Sequence, residues 1–489
     1  MNKKANRTVI RDGASWRMGA MALAVLSSLT ACRMGPDFKG ADMQVPAEFR
    51  GAGASAESIA DLAWWDVFRN GGLCSLLRDT YRNNKDLKSM MANVDSARQQ
   101  VTIAIAPLFP WASYTGSIAK GANYSSGVPV QSEGVTTTPG KGYGNISWEI
   151  DLWGKTRRSV EAAEADYMAT EYEQRALLLS LLKQVADGYL QLLQLDEELA
   201  IARESIVSYG KSLKLFTEQL EGGIGDRLQV ASAEAALAAS RAQVPALEAE
   251  IISLENTLSV LAGRAPGHIA RAGSLNSVGA GRVPAGIPAS ILARRPDVLQ
   301  KEQSLRAANA NIGVAIANYF PSISLTGMGG FVSSDLTAAT SKKSAWGVGA
   351  DLTGPIFQGG RLRASERVAR NNFLAAKSDY EKTVLTALSE VSTALIERAR
   401  LQSVIEEQER AVKAYRESVE LSMERYQGGL SSYYEVLTAQ QNLFPAQTQL
   451  AQYKYQYAAT LPALYAALGG GWKNTYREIT EGRSESDGR

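Results

Sequence analysis

The sequence predicts a mixed fold of membrane-type β-strands and very long α-helices, organised as two internal repeats. Three observations predict it. The first is self-similarity: Ala104-Ile105-Ala106, Phe109-Pro110 and Thr115-Gly116 return 211 positions later as Ala315-Ile316-Ala317, Phe320-Pro321 and Thr326-Gly327. At a spacing of 206, Gly222-Gly223-Ile224 returns as Gly428-Gly429-Leu430, and Gly263 as Gly469. So long a period marks a duplicated half-protein and not a solenoid module. The second is the stretch from Arg361 to Gln427, which holds neither glycine nor proline. The third is alternation of apolar and polar residues over Asn145–Leu152, repeated around Trp346–Thr353.

The elements follow in chain order. Lys3, Lys4, Arg7, Arg11 and Arg17 precede a short apolar run, Met18–Leu29, which is too short to span a membrane and reads as a secretory signal. It ends in Leu29-Thr30-Ala31-Cys32, which resembles a bacterial lipobox and makes Cys32 the expected lipidated N-terminus. Without residues 1–31 the chain carries 47 basic against 49 acidic groups. Nucleic acid, which wants a basic surface, is therefore not an expected partner. Cys74 is then the one free thiol, so no intrachain disulfide is expected.

Ile146, Trp148, Ile150 and Leu152 alternate with Asn145, Ser147, Glu149 and Asp151. Trp346, Val348, Ala350 and Leu352 alternate with Gly347, Gly349, Asp351 and Thr353. Apolar outside and polar inside is the pattern of a transmembrane β-strand. Preceding strands are expected over Ala112–Asn123 and Ser322–Phe331, with a Gly- and Pro-rich loop across Ser125–Lys141. Two strands per repeat give four per chain, too few to enclose water, and an open edge cannot face lipid. Several copies must share one barrel.

Arg157–Glu221 and Arg361–Gln427 each favour helix throughout, at about 100 Å of length. Leu178, Val185, Leu192, Leu199, Ile206, Leu213 and Leu220 stand seven apart, and 206 positions on the column reads Val384, Val391, Arg398, Ile405, Val412, Val419 and Tyr426. Such a column packs neighbouring helices as in a coiled coil. After each long helix comes a glycine-rich turn, Gly222–Asp226 and Gly428–Ser432, and a returning helix, Leu228–Ala262 and Tyr433–Leu468. Pro245 and Pro445 are expected to kink or locally unwind the returning helices.

Four stretches carry a resemblance: Cys32-Arg33-Met34-Gly35-Pro36-Asp37-Phe38, Trp64-Trp65 with Asn84-Lys85-Asp86-Leu87, Ala293-Arg294-Arg295-Pro296-Asp297-Val298, and Leu464-Tyr465-Ala466-Ala467-Leu468-Gly469-Gly470-Gly471-Trp472. With them, nearly the whole mature chain resembles the outer-membrane factor family, TolC-like, in its OprM- and NodT-like lipoprotein branch. The resemblance implies a homotrimer with a 12-stranded outer-membrane β-barrel, four strands per chain, continued by a coiled-coil-like α-helical barrel across the periplasm. It implies a signal at 1–31, an extended N-terminal segment at 32–71, a helix of the first repeat at 72–111 and a β-hairpin at 112–153. A helical hairpin at 154–264 and an equatorial linker at 265–290 follow. The second repeat supplies a helix at 291–321, a β-hairpin at 322–357, a helical hairpin at 358–468 and an equatorial tail at 469–489.

The function so implied is the exit channel of a tripartite efflux system, fed by an inner-membrane pump and a periplasmic adaptor. The resemblance puts a closing aperture at Ile224, Gly225, Asp226, Leu430, Ser431 and Ser432, with Gly222, Gly223, Gly428 and Gly429 at adaptor-contacting tips. Relatives often carry an aspartate where Ser431 stands, so Asp226 is a candidate for the ring charge; it equally fits a helix N-cap. Pro462 also departs from the family pattern, and Arg33 after Cys32 suits outer-membrane delivery.

No cofactor is expected beyond lipid on Cys32. His268 is the sole histidine, which excludes multi-histidine metal sites, and Cys74 with His268 lacks a nucleophile motif. Gly210-Lys211-Ser212 lacks the earlier glycine of a phosphate loop, and Gly327-Met328-Gly329-Gly330 lacks dinucleotide spacing, so an enzyme is not expected. Two ducts of the same family remain, one for type I protein secretion and one for metal efflux, the latter with only the scattered Met34, Met43, Met90 and Met91 behind it. A lipid-anchored periplasmic scaffold without a pore would need no alternating strands.

Overall fold

The computed structural model describes residues 33–40, 43–49, 59, 64–68, 70–118, 120–122, 124–125, 128–129, 136–138, 140–275, 290–333 and 342–470. The expected signal at 1–31, Cys32, most of the expected equatorial linker and residues 471–489 lie outside the described residues. In chain order the elements are α1 (Gly71–Asn83), α2 (Lys85–Ile105), β1 (Trp111–Ile118), β2 (Gly140–Ile150), α3 (Lys155–Glu221), α4 (Arg227–Leu261), α5 (Pro296–Ala317), β3 (Ser322–Ser333), β4 (Lys342–Thr353), α6 (Arg361–Gln427) and α7 (Tyr433–Ala467). Short helical turns and two-residue strand pairs complete them. No described helix is long and apolar enough to cross a membrane.

The duplication is visible in every boundary of the long helices. Both α3 and α6 have 67 residues, α4 and α7 have 35, and each end in the second half lies 206 positions after its counterpart. All four close alike. Gly223, Gly263, Gly429 and Gly469 take φ of +69° to +74°. The next N–H then reaches five residues back, as from Ile224 to the Gln219 carbonyl at 3.0 Å and from Leu430 to the Arg425 carbonyl at 2.8 Å. Glycine adopts this left-handed turn without a Cβ penalty. At Gly263 a Cβ would also run into the Asn83 carbonyl, and at Gly469 it would stand 2.9 Å from that of Arg294.

The chain divides into two compact units. One comprises Asp42–Val94, Thr170–Lys301 and Tyr380–Arg489. Its core gathers Leu178, Val185 and Leu192 of α3 with Val384 and Val391 of α6, all buried, whereas Leu220 at the end of the same column is 37% exposed. Two positions tie each helical hairpin to the segment before it. Asn84 accepts from Leu87 N–H, capping α2, and donates to the Leu261 carbonyl at 2.9 Å. Arg295, 211 positions on, donates to the Ala467 carbonyl at 3.0 Å and pairs with Asp297 and Glu390. Burial would lower the pKa of Arg295, but the two carboxylates outweigh it and hold the guanidinium above its ordinary value. Residues 265–275 are strapped to α3 and α4: Arg271 pairs with Asp196 and Glu255, and Ala272 N–H donates to Tyr189 Oη at 2.8 Å.

Neither α4 nor α7 is unwound at its prolines: helix continues through Pro245, Pro445 and Pro462. One missing donor costs about 3 kcal/mol. At Pro445 and Pro462 flanking residues such as Phe444, Ala446 and Leu461 are buried, and that packing outweighs it; Pro245 is exposed and has no buried flanking residue.

The other unit comprises Met1–Ala41, Asp95–Ala169 and Glu302–Asp379 and contains the sheet. Its order is β1-β2-β3-β4, antiparallel throughout, so the two hairpins join through β2 and β3. The first strand runs to Ile118 and resumes in the same register at Gly121–Ala122 opposite Thr136–Thr137, close to the expected end at Asn123, and β2 begins at Gly140, ahead of the expected Asn145. The register separates two faces, because directly opposed residues point the same way. One face carries Tyr114, Ile118, Ile146, Trp148, Ile150, Ile323, Leu325, Phe331, Trp346, Val348 and Leu352. Its opposite carries Ser113, Thr115, Ser117, Asn145, Ser147, Glu149, Ser324, Thr326, Asp351 and Thr353, with Trp111, Tyr143, Met328 and Val332 among them. A membrane strand needs this division.

Arg158, fully buried, ties the N-terminal segment to the start of α3. It donates to the Met34 carbonyl at 2.9 Å, the Gly35 carbonyl at 3.0 Å, Asp37 Oδ1 at 2.9 Å and Glu161 Oε2 at 2.8 Å. Gly35, at φ +86°, lies against Gly313, leaving no room for a Cβ on either. Arg158→Met should cost about 3 kcal/mol, because the buried Met34 and Gly35 carbonyls lose their donor and Glu161 keeps only Arg33. Limited proteolysis should then release the N-terminal segment, and Arg158→Lys should not rescue it, since an ammonium lacks the planar fork.

Candidate functional site at the hairpin tips

Two turns join the long helices, and the repeat makes them directly comparable. In the first, Ile224 is 83% exposed, and in the second Leu430 is 74% exposed. A hydrophobic side chain held out this far by a rigid turn is a candidate contact for another molecule. Gly222 and Gly428 donate their N–H to Glu218 and Glu424 carbonyls at 3.0 Å each, closing the last helical turns.

The two turns share a backbone but differ in side chains. Gly225 sits so tightly over Leu220 that a Cβ would collide with its backbone nitrogen, whereas the counterpart 206 positions on is Ser431. Asp226 caps α4, accepting from Leu228 N–H at 2.9 Å. Ser432 holds the same place before α7 but makes no side-chain capping bond. The acidic N-cap expected from sequence is therefore present in one tip only. Ser431 Oγ is buried without a hydrogen-bond partner.

The sequence signalled the turns but missed what ties them together. Tyr426 of α6 donates to Gln219 Oε1 of α3 at 2.6 Å, and Gln229 Oε1 of α4 lies 3.5 Å away. Phe216 packs against Tyr433 with ring centres 4.0 Å apart and meets Tyr426 edge-on at 5.6 Å. Phe216, Ala233, Tyr433 and Val436 form a buried cluster from three helices. Burial, with Tyr209 and Tyr426 nearby, pushes the pKa of Tyr433 up to about 12, and its hydroxyl has no partner. The one available signal was Tyr426 itself, a hydroxyl in an otherwise mainly apolar heptad column. Further up the seam, Gln440 donates to Ser208 at 2.9 Å and lies 3.3 Å from Ser212.

Tyr426→Phe keeps the ring packing and removes one hydrogen bond of about 1 kcal/mol. Amide hydrogen exchange over 219–229 should then quicken by roughly fivefold, with exchange near Val185 and Val391 unchanged.

A sheet with one apolar and one polar face, carried with two long capped helical hairpins, defines a channel-forming membrane protein. The chain belongs to the outer membrane efflux protein family, whose model matches residues 76–264 and 287–470. It is 33% identical over 462 residues to the antibiotic efflux pump outer membrane protein ArpC of Pseudomonas putida, covering 92% of this chain and 95% of that protein. It is 31% identical over 460 residues to the cation efflux system protein CusC of an Escherichia coli strain, covering 93% and 98%. A crystal structure of CusC superposes with a TM-score of 0.80 at 30% identity, over 90% of this chain and all of that one. The open state of the Neisseria gonorrhoeae MtrE outer membrane channel gives 0.80 at 27% identity, over 90% and 99%. The protein is an outer-membrane efflux channel.

Proposed function

We propose that the chain is the outer-membrane exit duct of a tripartite efflux system. It passes small toxic compounds outward as a homotrimer, fed by an inner-membrane pump through a periplasmic adaptor. Supporting this most directly is the four-stranded sheet, whose register puts Ile146, Trp148 and Ile150 of β2 with Trp346, Val348 and Leu352 of β4 on one face and Glu149 and Asp351 on the other. Among the described residues nothing pairs with the outer edges of β1 and β4, so closing a water-filled lumen calls for further copies. ArpC and CusC are described as serving antibiotic and cation efflux at nearly equal identity to this chain. Cargo choice therefore falls to the pump, and the duct is passive. It is not proposed to be an enzyme, and lipid on Cys32 would anchor it to the membrane.

The tips are the proposed aperture. Ile224 and Leu430 stand out from the turns, Asp226 lies next to Ile224's turn, and Ser431 and Ser432 take the matching places in the second. Three copies of each would form rings that filter by size and charge. Gly222, Gly223, Gly428 and Gly429 leave the turn backbone bare for an adaptor.

Single-channel recording in planar bilayers tests this reading. The native protein should show a small, seldom open conductance, and Leu430→Ala should enlarge it severalfold. Asp226→Asn retains an oxygen for the N-cap and deletes the charge. Reduced cation preference would place the charge ring there; unchanged preference with normal conductance would leave Asp226 as a cap only. Absence of any conductance from confirmed oligomers would reject the duct.

A further inference from the structure

The repeat fixes more than the helices. In the first hairpin Trp111 pairs with Ser147, and in the second Ser322 pairs with Thr353. Thus β1 maps onto β3 with an offset of 211, and β2 maps onto β4 with an offset of 206. These are the spacings of the sequence echoes, so both hairpins share one register. The junction between halves has its own register: Trp148 opposes Leu325, Ser147 opposes Thr326, Ile146 opposes Gly327 and Asn145 opposes Met328. Moving each partner by its offset carries that junction onto the two edges left unpaired among the described residues, β4 and β1. Those edges lie at opposite ends of the sheet, so the pairing must be with a neighbouring copy.

We propose that β4 of one copy pairs antiparallel with β1 of the next so that Thr353 opposes Thr115, Leu352 opposes Gly116, Asp351 opposes Ser117 and Gly354 opposes Tyr114. This rests on the reading that copies share one barrel, and it specifies how they meet.

Side-chain chemistry supports the register independently of the repeat. Leu352 and Tyr114 lie on the apolar face of their strands, and each meets a glycine. Thr353, Thr115, Asp351 and Ser117 lie on the polar face, and each meets a hydroxyl or carboxylate partner. Large over glycine already occurs within the sheet, where the Phe331 ring lies over Gly142, 2.9 Å from where a Cβ would be. Tyr114, 90% exposed in the single chain, would lie across Gly354 in the same manner. A slip of one residue would set Leu352 against Thr115 and reverse every face. A slip of two would set Leu352 against Tyr114 or Ile118 and lose the glycine beneath each bulky group.

Cysteine pairs in the full, lipid-bearing chain test the register. Opposed Cα atoms stand about 4.5–5.5 Å apart, within disulfide reach, whereas pairs displaced by two residues stand at about 7–8 Å. Thr115→Cys with Thr353→Cys, oxidised and run without reductant, should give covalent multimers. The displaced pairs, Ser113→Cys or Ser117→Cys with Thr353→Cys, should give roughly tenfold less, and each single variant none. A displaced pair that cross-links better than the opposed one overturns the register. No cross-link from any pair, in oligomers confirmed by native mass, overturns strand pairing between copies. If the native protein itself runs as a monomer by mass in membrane-mimicking nanodiscs, the shared barrel fails first, and the register with it.

Discussion

Lipid offers no hydrogen bonds, so every backbone N–H and C=O inside it must find a partner in protein. That constraint shapes the sheet of this chain. Among the described residues it is met between β1 and β2, β2 and β3, and β3 and β4, and left open at two edges. The open edges belong to strands with apolar residues on one face and hydroxyls and carboxylates on the other. A sheet so divided is stable only when its apolar face meets lipid, its polar face meets water and its edges meet other strands. Oligomerisation in the proposed assembly thus follows from backbone chemistry, before any particular side-chain contact is considered.

The helical hairpins obey a different rule. Their ends are closed by four glycines in the left-handed region, and two of these press so closely on the preceding segment that no other residue fits. Helix length and turn position are therefore fixed by covalent geometry. The side chains between the hairpins are less uniform. Near Val185 and Val391 the seam is apolar and buried; towards the tips the buried cluster of Phe216, Ala233, Tyr433 and Val436 is joined by hydrogen bonds of Tyr426 to Gln219 and of Gln440 to Ser208. Each such hydrogen bond adds about 1 kcal/mol to that packing.

Duplication gave both tips one backbone, and later substitution made them differ. Gly225 and Asp226 stand where the second tip has Ser431 and Ser432, so one turn is charged and capped while the other is neutral and leaves a buried hydroxyl without a partner. The ties to the neighbouring segments also diverged. Asn84 reaches the Leu261 carbonyl through an amide, and Arg295 reaches the matching Ala467 carbonyl through a guanidinium that also holds two acids. The geometry was kept while the chemistry changed, because a carbonyl at a helix end accepts from any donor that arrives in place.

Much of this molecule was legible in its residues. The spacings of 206 and 211, the glycine turns, the heptad column and the alternation around Trp148 and Trp346 are local patterns, and local patterns dictate helices, turns and strand faces. The turns themselves are found in the same way, whereas Ile224, Asp226 and Leu430 within them are singled out by the family resemblance. Only tertiary structure decided what those turns meet. The contact of Tyr426 with Gln219, the tilted packing of Phe216 against Tyr433 and the clamp of Arg158 on Met34 and Gly35 join residues far apart in the chain. Tertiary packing likewise overruled local propensity at Pro445 and Pro462, where helix continues despite a missing donor. Short-range sterics and periodicity determine the parts; contacts across long sequence separations, which no local pattern encodes, determine how the parts hold one another.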